Sequence, residues 1–403
     1  MESSLVHYPT ASLKPYRDES LQGGHLWIFS GALQQPPRWI EAGGLVDVKS
    51  ATGHFVARGY YNSQTDIAIR ILTHNAEEVI DTDFLRRRIR RAVELRKVFD
   101  PEQTNAYRLI NSEGDGLPGL VVDRYADILV VQIHTAGMEQ LRPQLLEALM
   151  QETGAYGILL RNDGQSRRRE GLETEEPTVV AGEVPLQITI RENGVLFGVD
   201  PWQGQKTGLF LDQRDNRAAL SKYVSNGKRI LNCFSYTGGF SIYAALTSPE
   251  VSATSVDVSA PAIEIARQNF VLNGLNPEHH QFIAADVFDY LEEMQSTGEL
   301  FDVVVLDPPA FAKSQSARTH ALKAYRRLNT LGMQVLRPGG VLLTCSCSGV
   351  VGMDDLLGAL SSSAQRLHRT VQLLESYTHG VDHPINLAMP ETSYLKAVFC
   401  RIS

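Results

Sequence analysis

The sequence RILNCFSYTGGF, at residues 229–240, decides the fold of the C-terminal half of this chain. It begins with the apolar pair Ile230 and Leu231, typical of a short buried strand, and leads through a turn to two glycines, Gly238 and Gly239. Glycine lets the backbone approach a ligand closely, and the first turn of a following helix offers free N–H groups. This order of strand, glycine turn and helix predicts the ligand-binding unit of an α/β sheet.

Strands and helices alternate in the sequence after this segment. We expect further strands at residues 253–258, 301–306 and 341–345, and residues 303–306 form a continuous apolar run that is typical of a buried parallel strand. The spacing of apolar residues predicts helices at residues 241–245, 260–273 and 325–336. The pattern therefore predicts an α/β fold with a parallel sheet covered on both faces.

Two aspartates follow strands of the predicted sheet. Asp257 ends the second strand about 20 residues after the glycines, where an acid can accept hydrogen bonds from ribose hydroxyls. Asp286, in the segment AADVF at 284–288, follows a third strand that comes before the strand at 301–306. A dinucleotide-binding domain shares this order, but the turn lacks the G-x-G-x-x-G spacing that holds a pyrophosphate. The pattern favours a domain that binds S-adenosylmethionine (SAM). We predict the following residues at the cofactor: Asn232, Phe234, Tyr236, Thr237, Gly238, Gly239, Asp257, Val258, Ser259, Asp286, Val287 and Asp307.

The fourth strand ends in Asp307-Pro308-Pro309. Two prolines fix φ and remove hydrogen-bond donors, so a rigid turn would hold the Asp307 carboxylate at the sheet edge. This geometry suits recognition of an exocyclic amine or a ring nitrogen on a flipped base. The alternative is a proline turn that only terminates the strand.

The fifth strand ends in a segment with two cysteines, Cys345 and Cys347. C5 of cytosine is too weak a nucleophile to attack a methyl sulfonium directly, but a thiolate that adds to C6 activates it. Cys347 lies closer to the carboxyl end of the strand, whereas Cys345 suits a small buried side chain. We therefore predict Cys347 as the nucleophile and Asp307 as the second catalytic residue.

Composition limits the other possibilities. The four cysteines have the spacing of neither a disulfide framework nor a zinc site, so we expect no metal. The polar N-terminus lacks a secretory signal, and no apolar run approaches the ~18 residues of a membrane helix. Free thiols in such a chain predict a cytoplasmic protein without a membrane partner.

The net charge of −8 argues mildly against a nucleic-acid partner, unless basic residues cluster on one face. Two such clusters exist, at residues 86–91 and at residues 167–169. Each is either a surface that contacts phosphate or an ordinary solvated face.

The N-terminal half has a different pattern. Alternating residues at 45–72 predict a small β domain, and a helix is expected at residues 83–99 with N-cap candidates at 81–83. Further strands at 120–123, 128–131, 157–161 and 187–190 and a helix at 138–150 predict a small α+β domain, with residues 170–183 as a linker or long loop. We place the three domains at residues 1–80, 81–190 and 191–403.

Together these motifs resemble the RlmI-type ribosomal RNA cytosine-C5 methyltransferases over essentially the full chain. The resemblance rests on the following segments: HLWIFSGA at 25–32, YRLI at 107–110, GDGLPG at 114–119, KTGLFLDQR at 206–214, NCFSYTGGF at 232–240, DPPAF at 307–311 and SCSG at 346–349. Three of these are specific individually: the DQR at 212–214, the DPPAF motif and the SCSG motif.

The resemblance implies an N-terminal PUA domain, a small α+β domain and a Rossmann-like methyltransferase domain that ends in an antiparallel strand at residues 393–401. It implies 23S rRNA as the substrate, Cys347 as the nucleophile and, in many members, a homodimer. It also implies that Asp212, Gln213 and Arg214 pack against SAM. One departure is Ala310, where relatives carry lysine, and Lys313 is a candidate to replace that charge.

RNA contacts complete the expected site. Phe311 would either stack on the flipped base or belong to the core. We predict RNA contacts at Phe311, Lys313, Arg326, Arg86, Arg87 and Arg90. Two rival functions stay open at this point: a guanine N-methyltransferase, which needs no cysteine, and an assembly factor that binds RNA and SAM without catalysis.

Overall fold

The computed structural model describes residues 7–35, 39–312 and 314–403, so the prediction for Lys313 lies outside the described residues. The chain forms two compact units. The first contains the described residues up to Ile190 together with Val199–Leu211 and Val381–Thr392, and the second contains Arg191–Gly198, Asp212–Gly380 and Ser393–Ser403. The predicted boundaries near residues 80 and 190 stay predictions.

The first unit holds two five-stranded sheets. The strands of one sheet, in spatial order, are β1 (Thr10–Ser12), β3 (Leu45–Lys49), β4 (Phe55–Tyr61), β5 (Ile67–Thr73) and β2 (Trp27–Phe29). The strands of the other are β10 (Thr178–Gly182), β9 (Gly157–Leu160), β8 (Ile128–Ile133), β7 (Leu120–Tyr125) and β6 (Ala106–Asn111). The helices are α1 (Glu19–Gln22), α2 (Thr82–Arg96), α3 (Ala136–Gln140) and α4 (Arg142–Thr153).

Three details of the first unit differ from the sequence-based expectations. Residues 170–183 are not simply a linker, because β10 pairs antiparallel with β9. The predicted helix at 138–150 is two helices, because Pro143 lacks an N–H and starts a new first turn. Arg167 is not on a solvated face, since it is only 2% exposed and bonds to Glu139 at 2.9 Å.

The second unit is built on a seven-stranded sheet. Its spatial order is β15 (Gln281–Ala284), β14 (Ser252–Asp257), β13 (Arg229–Cys233), β16 (Phe301–Leu306), β17 (Leu336–Ser346), β19 (Lys396–Ile402) and β18 (Val371–Tyr377). The first five strands are parallel, and β19 runs antiparallel to both of its neighbours. The predicted α/β fold with a terminal antiparallel strand is confirmed. A separate two-stranded sheet contains β11 (Ile188–Glu192) and β12 (Val195–Val199).

Helices cover both faces of this sheet. They are α5 (Arg214–Leu220), α6 (Gly239–Ala245), α7 (Ala260–Leu272), α8 (Val287–Thr297), α9 (Arg318–Gln334) and α10 (Met353–Arg366). Side chains alternate along β13: Leu231 and Cys233 join the apolar core under α8, α9 and α10, whereas Asn232 bonds to Ser241 of α6 on the other face. The helix expected at 325–336 begins earlier, at Arg318, and ends at Gln334.

Short 3-10 turns connect several elements, at Ser30–Ala32, Ser112–Asp115, Gln165–Glu170, Leu211–Gln213, Ser221–Tyr223, Pro277–His279, Gln315–Ala317 and Pro390–Thr392. Within the described ranges no helix is both long and apolar enough to cross a membrane. A search of the same residues finds no group of His, Cys, Asp and Glu side chains that could hold a metal ion.

The N-terminus of α2 is a candidate for a stability test. The side chain of Asp81 accepts a hydrogen bond from the backbone N–H of Phe84 at 2.8 Å, as the sequence-based N-cap prediction requires. We expect Asp81→Ala to lower the free energy of unfolding by about 1 kcal/mol, because an N–H of the first turn loses its acceptor. Urea unfolding followed by circular dichroism measures the change. Asp83→Ala is the matched control, since it removes the same charge from the same turn without removing the cap; an equal loss in both variants would contradict this account.

Candidate active site

The carboxyl ends of four parallel strands lie in register at one edge of the seven-stranded sheet. Cys233 of β13 pairs with Val256 of β14 and with Leu306 of β16, and Leu306 pairs in turn with Thr344 of β17. The loops that follow these residues therefore all start from the same edge. This register brings the predicted glycine turn, the strand-end aspartates and the predicted nucleophile to one side of the sheet.

The turn after β13 has an unusual backbone and is tied to the next strand. Phe234 and Tyr236 have φ values of +59° and +46°, in a region that residues other than glycine rarely adopt. The backbone N–H of Tyr236 donates to Asp257 at 2.9 Å, and the N–H of Ser259 donates to the other oxygen of the same carboxylate at 2.9 Å. Asp257 therefore holds both the glycine turn and the loop after its own strand.

The two glycines of the turn are required by packing within the protein. Gly238 has φ +82°, and a Cβ there would lie 3.0 Å from Cβ of Ala266 in α7. A Cβ on Gly239 would lie 2.7 Å from Cδ of Arg217. The Arg217 guanidinium is held by two hydrogen bonds to the buried carboxylate of Glu192, at 2.9 and 2.7 Å. Close packing thus explains both glycines without a bound cofactor.

The remaining predicted cofactor residues line the same edge. Asn232 is fully buried, and its Oδ1 has no hydrogen-bond partner among the residues that the structure describes. Val258 is 76% exposed beside Asp257, and Asp286 caps α8 by accepting from the N–H of Phe288 at 2.8 Å. Of the others, Thr237 is buried, Phe234 is half-buried, Ser259 caps α7 and Val287 belongs to the apolar core.

The segment Asp212-Gln213-Arg214 reaches this edge from outside the sheet. The side-chain amide of Gln213 donates to Oδ1 of Asp307 at 2.8 Å, and the hydroxyl of Tyr394 donates to Asp212 at 2.8 Å. Arg214 is only 1% exposed. The side-chain amide of Gln213 therefore orients the Asp307 carboxylate through a neutral hydrogen-bond donor.

The two cysteines at the end of β17 differ in their surroundings. Cys345 is completely buried, and burial raises the pKa of its thiol well above the usual range. Cys347 lies one residue beyond the end of the strand, is half-buried, and its thiol donates to the carbonyl of Pro308 at 3.9 Å. β17 ends at Ser346, so the alternation of side chains along the strand does not continue to Cys347. Of the two cysteines, Cys347 is the one that is partly exposed at this edge of the sheet.

Sequence reasoning missed two residues that shape the Cys347 segment. The hydroxyl of the buried Tyr325 donates to Oγ of Ser346 at 2.8 Å. The ammonium of Lys396 donates to the carbonyl of Ser348 at 2.7 Å. A lysine in the apolar run of residues 395–400 was a usable signal, because lysine is almost never buried unless its charge has partners.

The described residues among the predicted RNA contacts belong to both units: Phe311 and Arg326 to the second, and Arg86, Arg87 and Arg90 to the first. Phe311 is half-buried, with its ring centroid 4.8 Å from that of Tyr325, and it packs on the apolar core. Arg326 is exposed on α9, next to Lys323 and Arg327. The three arginines of α2 that were predicted to contact RNA already have carboxylate partners, at the following distances: Arg86–Glu152 2.9 Å, Arg90–Glu152 2.9 Å and Arg87–Glu78 3.5 Å.

The donor and acceptor groups at this edge fit SAM. Each oxygen of Asp257 accepts one backbone N–H, and a carboxylate oxygen can accept a further bond from a ribose hydroxyl. The exposed Val258 offers apolar surface of the kind that an adenine ring covers. The carboxylates of Asp212 and Asp307 suit the positive charges of the sulfonium and ammonium groups.

Comparisons with known proteins agree with this reading. A family model described as S-adenosylmethionine-dependent methyltransferase matches residues 165–387, and one described as a PUA-like domain matches residues 12–74. The chain is 43% identical over 393 residues to the ribosomal RNA large subunit methyltransferase I of Shewanella denitrificans, covering 97% of this chain and 98% of that protein. The protein of the same name from Aeromonas salmonicida is 44% identical over 387 residues, with 96% and 97% covered.

Solved structures share the fold over the whole chain. A Streptococcus mutans protein assigned as a SAM-dependent methyltransferase superposes with a TM-score of 0.84, at 23% identity, covering 98% of this chain and 100% of that one. A second, assigned as a methyltransferase and solved with S-adenosylhomocysteine, superposes with a TM-score of 0.85 at the same identity and coverage. At this identity the likeness supports the fold alone.

The packing of the glycine turn can be tested at Gly239. We expect Gly239→Ala to lower the free energy of unfolding by about 1–3 kcal/mol, because the added methyl group displaces an arginine that is held by two hydrogen bonds. The midpoint of urea unfolding measures this loss. Gly358→Ala, in open space within α10, is the control and should be neutral or stabilising. A neutral Gly239→Ala variant would show that Arg217 moves freely.

Proposed function

The chain belongs to the SAM-dependent ribosomal RNA large subunit methyltransferase I family, and on this basis we propose that it methylates C5 of a cytosine in 23S rRNA through a covalent adduct between Cys347 and C6 of the base. Family membership makes SAM the methyl donor. The large ribosomal RNA as substrate is taken from the names of its relatives. Methylation at C5 of cytosine and the covalent adduct with Cys347 are the more specific part of the proposal.

A single observation supports methylation at C5 through an adduct with Cys347. A half-buried thiol, that of Cys347, lies directly beyond a strand end and 3.9 Å from the carbonyl of Pro308, in the Asp307-Pro308-Pro309 segment that follows the neighbouring strand. A carboxylate and an accessible thiol are thereby held on adjacent loops. Methylation of an exocyclic amine needs no thiol, whereas methylation at cytosine C5 requires one. The pair therefore supports the C5 reaction over guanine N-methylation.

The proposed chemistry uses the thiolate twice. Its sulfur forms a bond to C6 of cytosine, and the electrons of the C5–C6 double bond make C5 nucleophilic. SAM supplies an electrophilic methyl group on its sulfonium sulfur. C5 would bond to this methyl group as the bond between the methyl carbon and the sulfonium sulfur breaks, which leaves S-adenosylhomocysteine, and C5 would then lose its proton to a base. The electrons of that C–H bond restore the C5–C6 double bond, and the Cys347 thiolate leaves.

Asp307 is proposed to read the base. Its carboxylate accepts a hydrogen bond from the amide of Gln213, and each oxygen of a carboxylate can accept more than one hydrogen bond. Cytosine offers an exocyclic amine as a donor on its pairing edge, so the carboxylate can select it in a flipped or unpaired base. The bond to Gln213 fixes the direction of this carboxylate before the base arrives.

For the cofactor we propose the residues that line the sheet edge. The ribose would be held by Asp257, the adenine by Val258 and the loop at Asp286, and the methionine portion by the glycine turn together with Asp212. RNA phosphates would contact Arg326 and its neighbours on α9, and the predicted contacts at Arg86, Arg87 and Arg90 would have to compete with Glu78 and Glu152. A cytoplasmic location and a homodimer are part of the same proposal.

Replacement of the nucleophile gives the main test. We expect Cys347→Ala to reduce transfer of label from radiolabelled SAM to unmodified 23S rRNA by at least about 10³-fold, because C5 is not activated without the adduct. Binding of SAM, measured by equilibrium dialysis, should be unchanged. Cys345→Ala is the matched control, since it removes a buried thiol two residues away and should retain most of the activity.

Two results would contradict this proposal in different ways. Full activity of Cys347→Ala would favour methylation of an exocyclic amine. No transfer by the wild-type protein, despite SAM binding and with unmodified rRNA, would favour a non-catalytic assembly factor.

The covalent step has its own test. RNA that carries 5-fluorocytosine should trap the protein after methyl transfer, because fluorine cannot leave C5 as a proton does. We expect a protein–RNA adduct that survives a denaturing gel, with the RNA mapped to the peptide of Cys347 by mass spectrometry. Cys347→Ala should give no adduct. An active wild-type protein that forms none would argue against the C6 adduct.

A further inference from the structure

Lys396 is a buried lysine next to the segment that carries Cys347. It is the first residue of β19, it pairs in register with Ser346, and it is only 6% exposed. Its ammonium donates to the carbonyl of Ser348 at 2.7 Å and to the carbonyl of Tyr394 at 2.8 Å. Its backbone and side chain thus contact the residues on either side of Cys347.

The antiparallel direction of β19 explains this position. The parallel strands end at the catalytic edge, whereas β19 begins there, so that its first side chain meets the end of β17. The lysine lies opposite the last strand residue, Ser346, and reaches past Cys347 to Ser348. The positive charge is therefore placed within the short turn that presents the thiol.

Several titratable groups surround this charge. Burial lowers the pKa of Lys396, while the negative charges of Cys347 and Asp355 raise it. Asp355 is itself paired with Arg318 at 2.5 Å, so its carboxylate is shared. Among the described residues, Cys345 on β17, Tyr325 on α9 and Asp307 after β16 are further titratable groups around this turn.

We propose that Lys396 is a positioning residue that favours the thiolate form of Cys347 and holds the turn in which it lies. Two carbonyl acceptors orient the ammonium, and its charge stabilises an anion nearby in a setting where water screens little. Asp307 opposes this effect, because a neighbouring carboxylate disfavours a second negative charge. Lys396 supplies the positive charge needed for a reactive thiol beside an aspartate. The contribution of Lys396 to catalysis rests on the proposed function, whereas its effect on the Cys347 thiol does not.

The test is the pH dependence of Cys347 alkylation by iodoacetamide in the full-length protein, without SAM or RNA. Peptide mass mapping follows Cys347 separately from the three buried cysteines. We expect Lys396→Met to move the midpoint of the alkylation curve up by about one pH unit and to slow alkylation at pH 7 about tenfold. Lys396→Arg should stay close to the wild type, because the guanidinium keeps the charge and can donate to both carbonyls.

A purely structural lysine would give a different pattern. The midpoint would then be the same in Lys396→Met, Lys396→Arg and the wild type, and this result would overturn the proposal. If Lys396→Met does not fold, as judged by circular dichroism, the wild-type curve decides: a midpoint below about 8.5, the value of an ordinary thiol, supports the proposal, and one at or above it refutes it. The alkylation measurement does not depend on methyl transfer. The activity of Cys347→Ala therefore tests the proposed function, and the alkylation midpoint independently tests the role of Lys396.

Discussion

Hydrogen-bond register in the parallel sheet is the constraint on which the candidate site depends. Register determines how neighbouring strands are aligned and therefore where each loop leaves the sheet. Since Cys233, Val256, Leu306 and Thr344 are linked across four strands, the loops after them begin at one edge. A slip of one residue would turn the inward side chains of a strand to the opposite face. The same register therefore sets the core and the site together.

The glycine turn illustrates how this edge is kept rigid. The backbone N–H of Tyr236, which has a positive φ, donates to Asp257, and α7 and Arg217 pack closely against Gly238 and Gly239. The Arg217–Glu192 pair is itself buried, and a buried pair of this kind is costly to break on one side only. A turn with unfavourable φ values persists only where the surrounding contacts hold it in place, and such turns are common at ligand-binding sites.

Burial separates two thiols that are chemically identical and two residues apart. Cys345 lies within the strand, between the sheet's covered faces, where its neutral form is strongly favoured. Cys347 lies just beyond the strand end, where the chain leaves those faces, next to the carbonyl of Pro308 and to the turn that Lys396 contacts. The burial of each thiol thus depends on where the strand stops, which the spacing of the two residues in the sequence does not reveal.

Much of this protein could be read from its sequence. Local patterns determined the α/β sheet, the strand at residues 301–306, the cap at Asp81 and the placement of Asp307 and Cys347 at strand ends, because strand and helix periodicity and turn chemistry are short-range properties. Tertiary structure alone decided that Gly239 faces Arg217, that β10 pairs with β9, that Arg86, Arg87 and Arg90 of α2 have carboxylate partners, and that Lys396 reaches the Cys347 turn. These features depend on pairing between residues far apart in the chain, and periodicity along one segment carries no information about which distant segment packs against it.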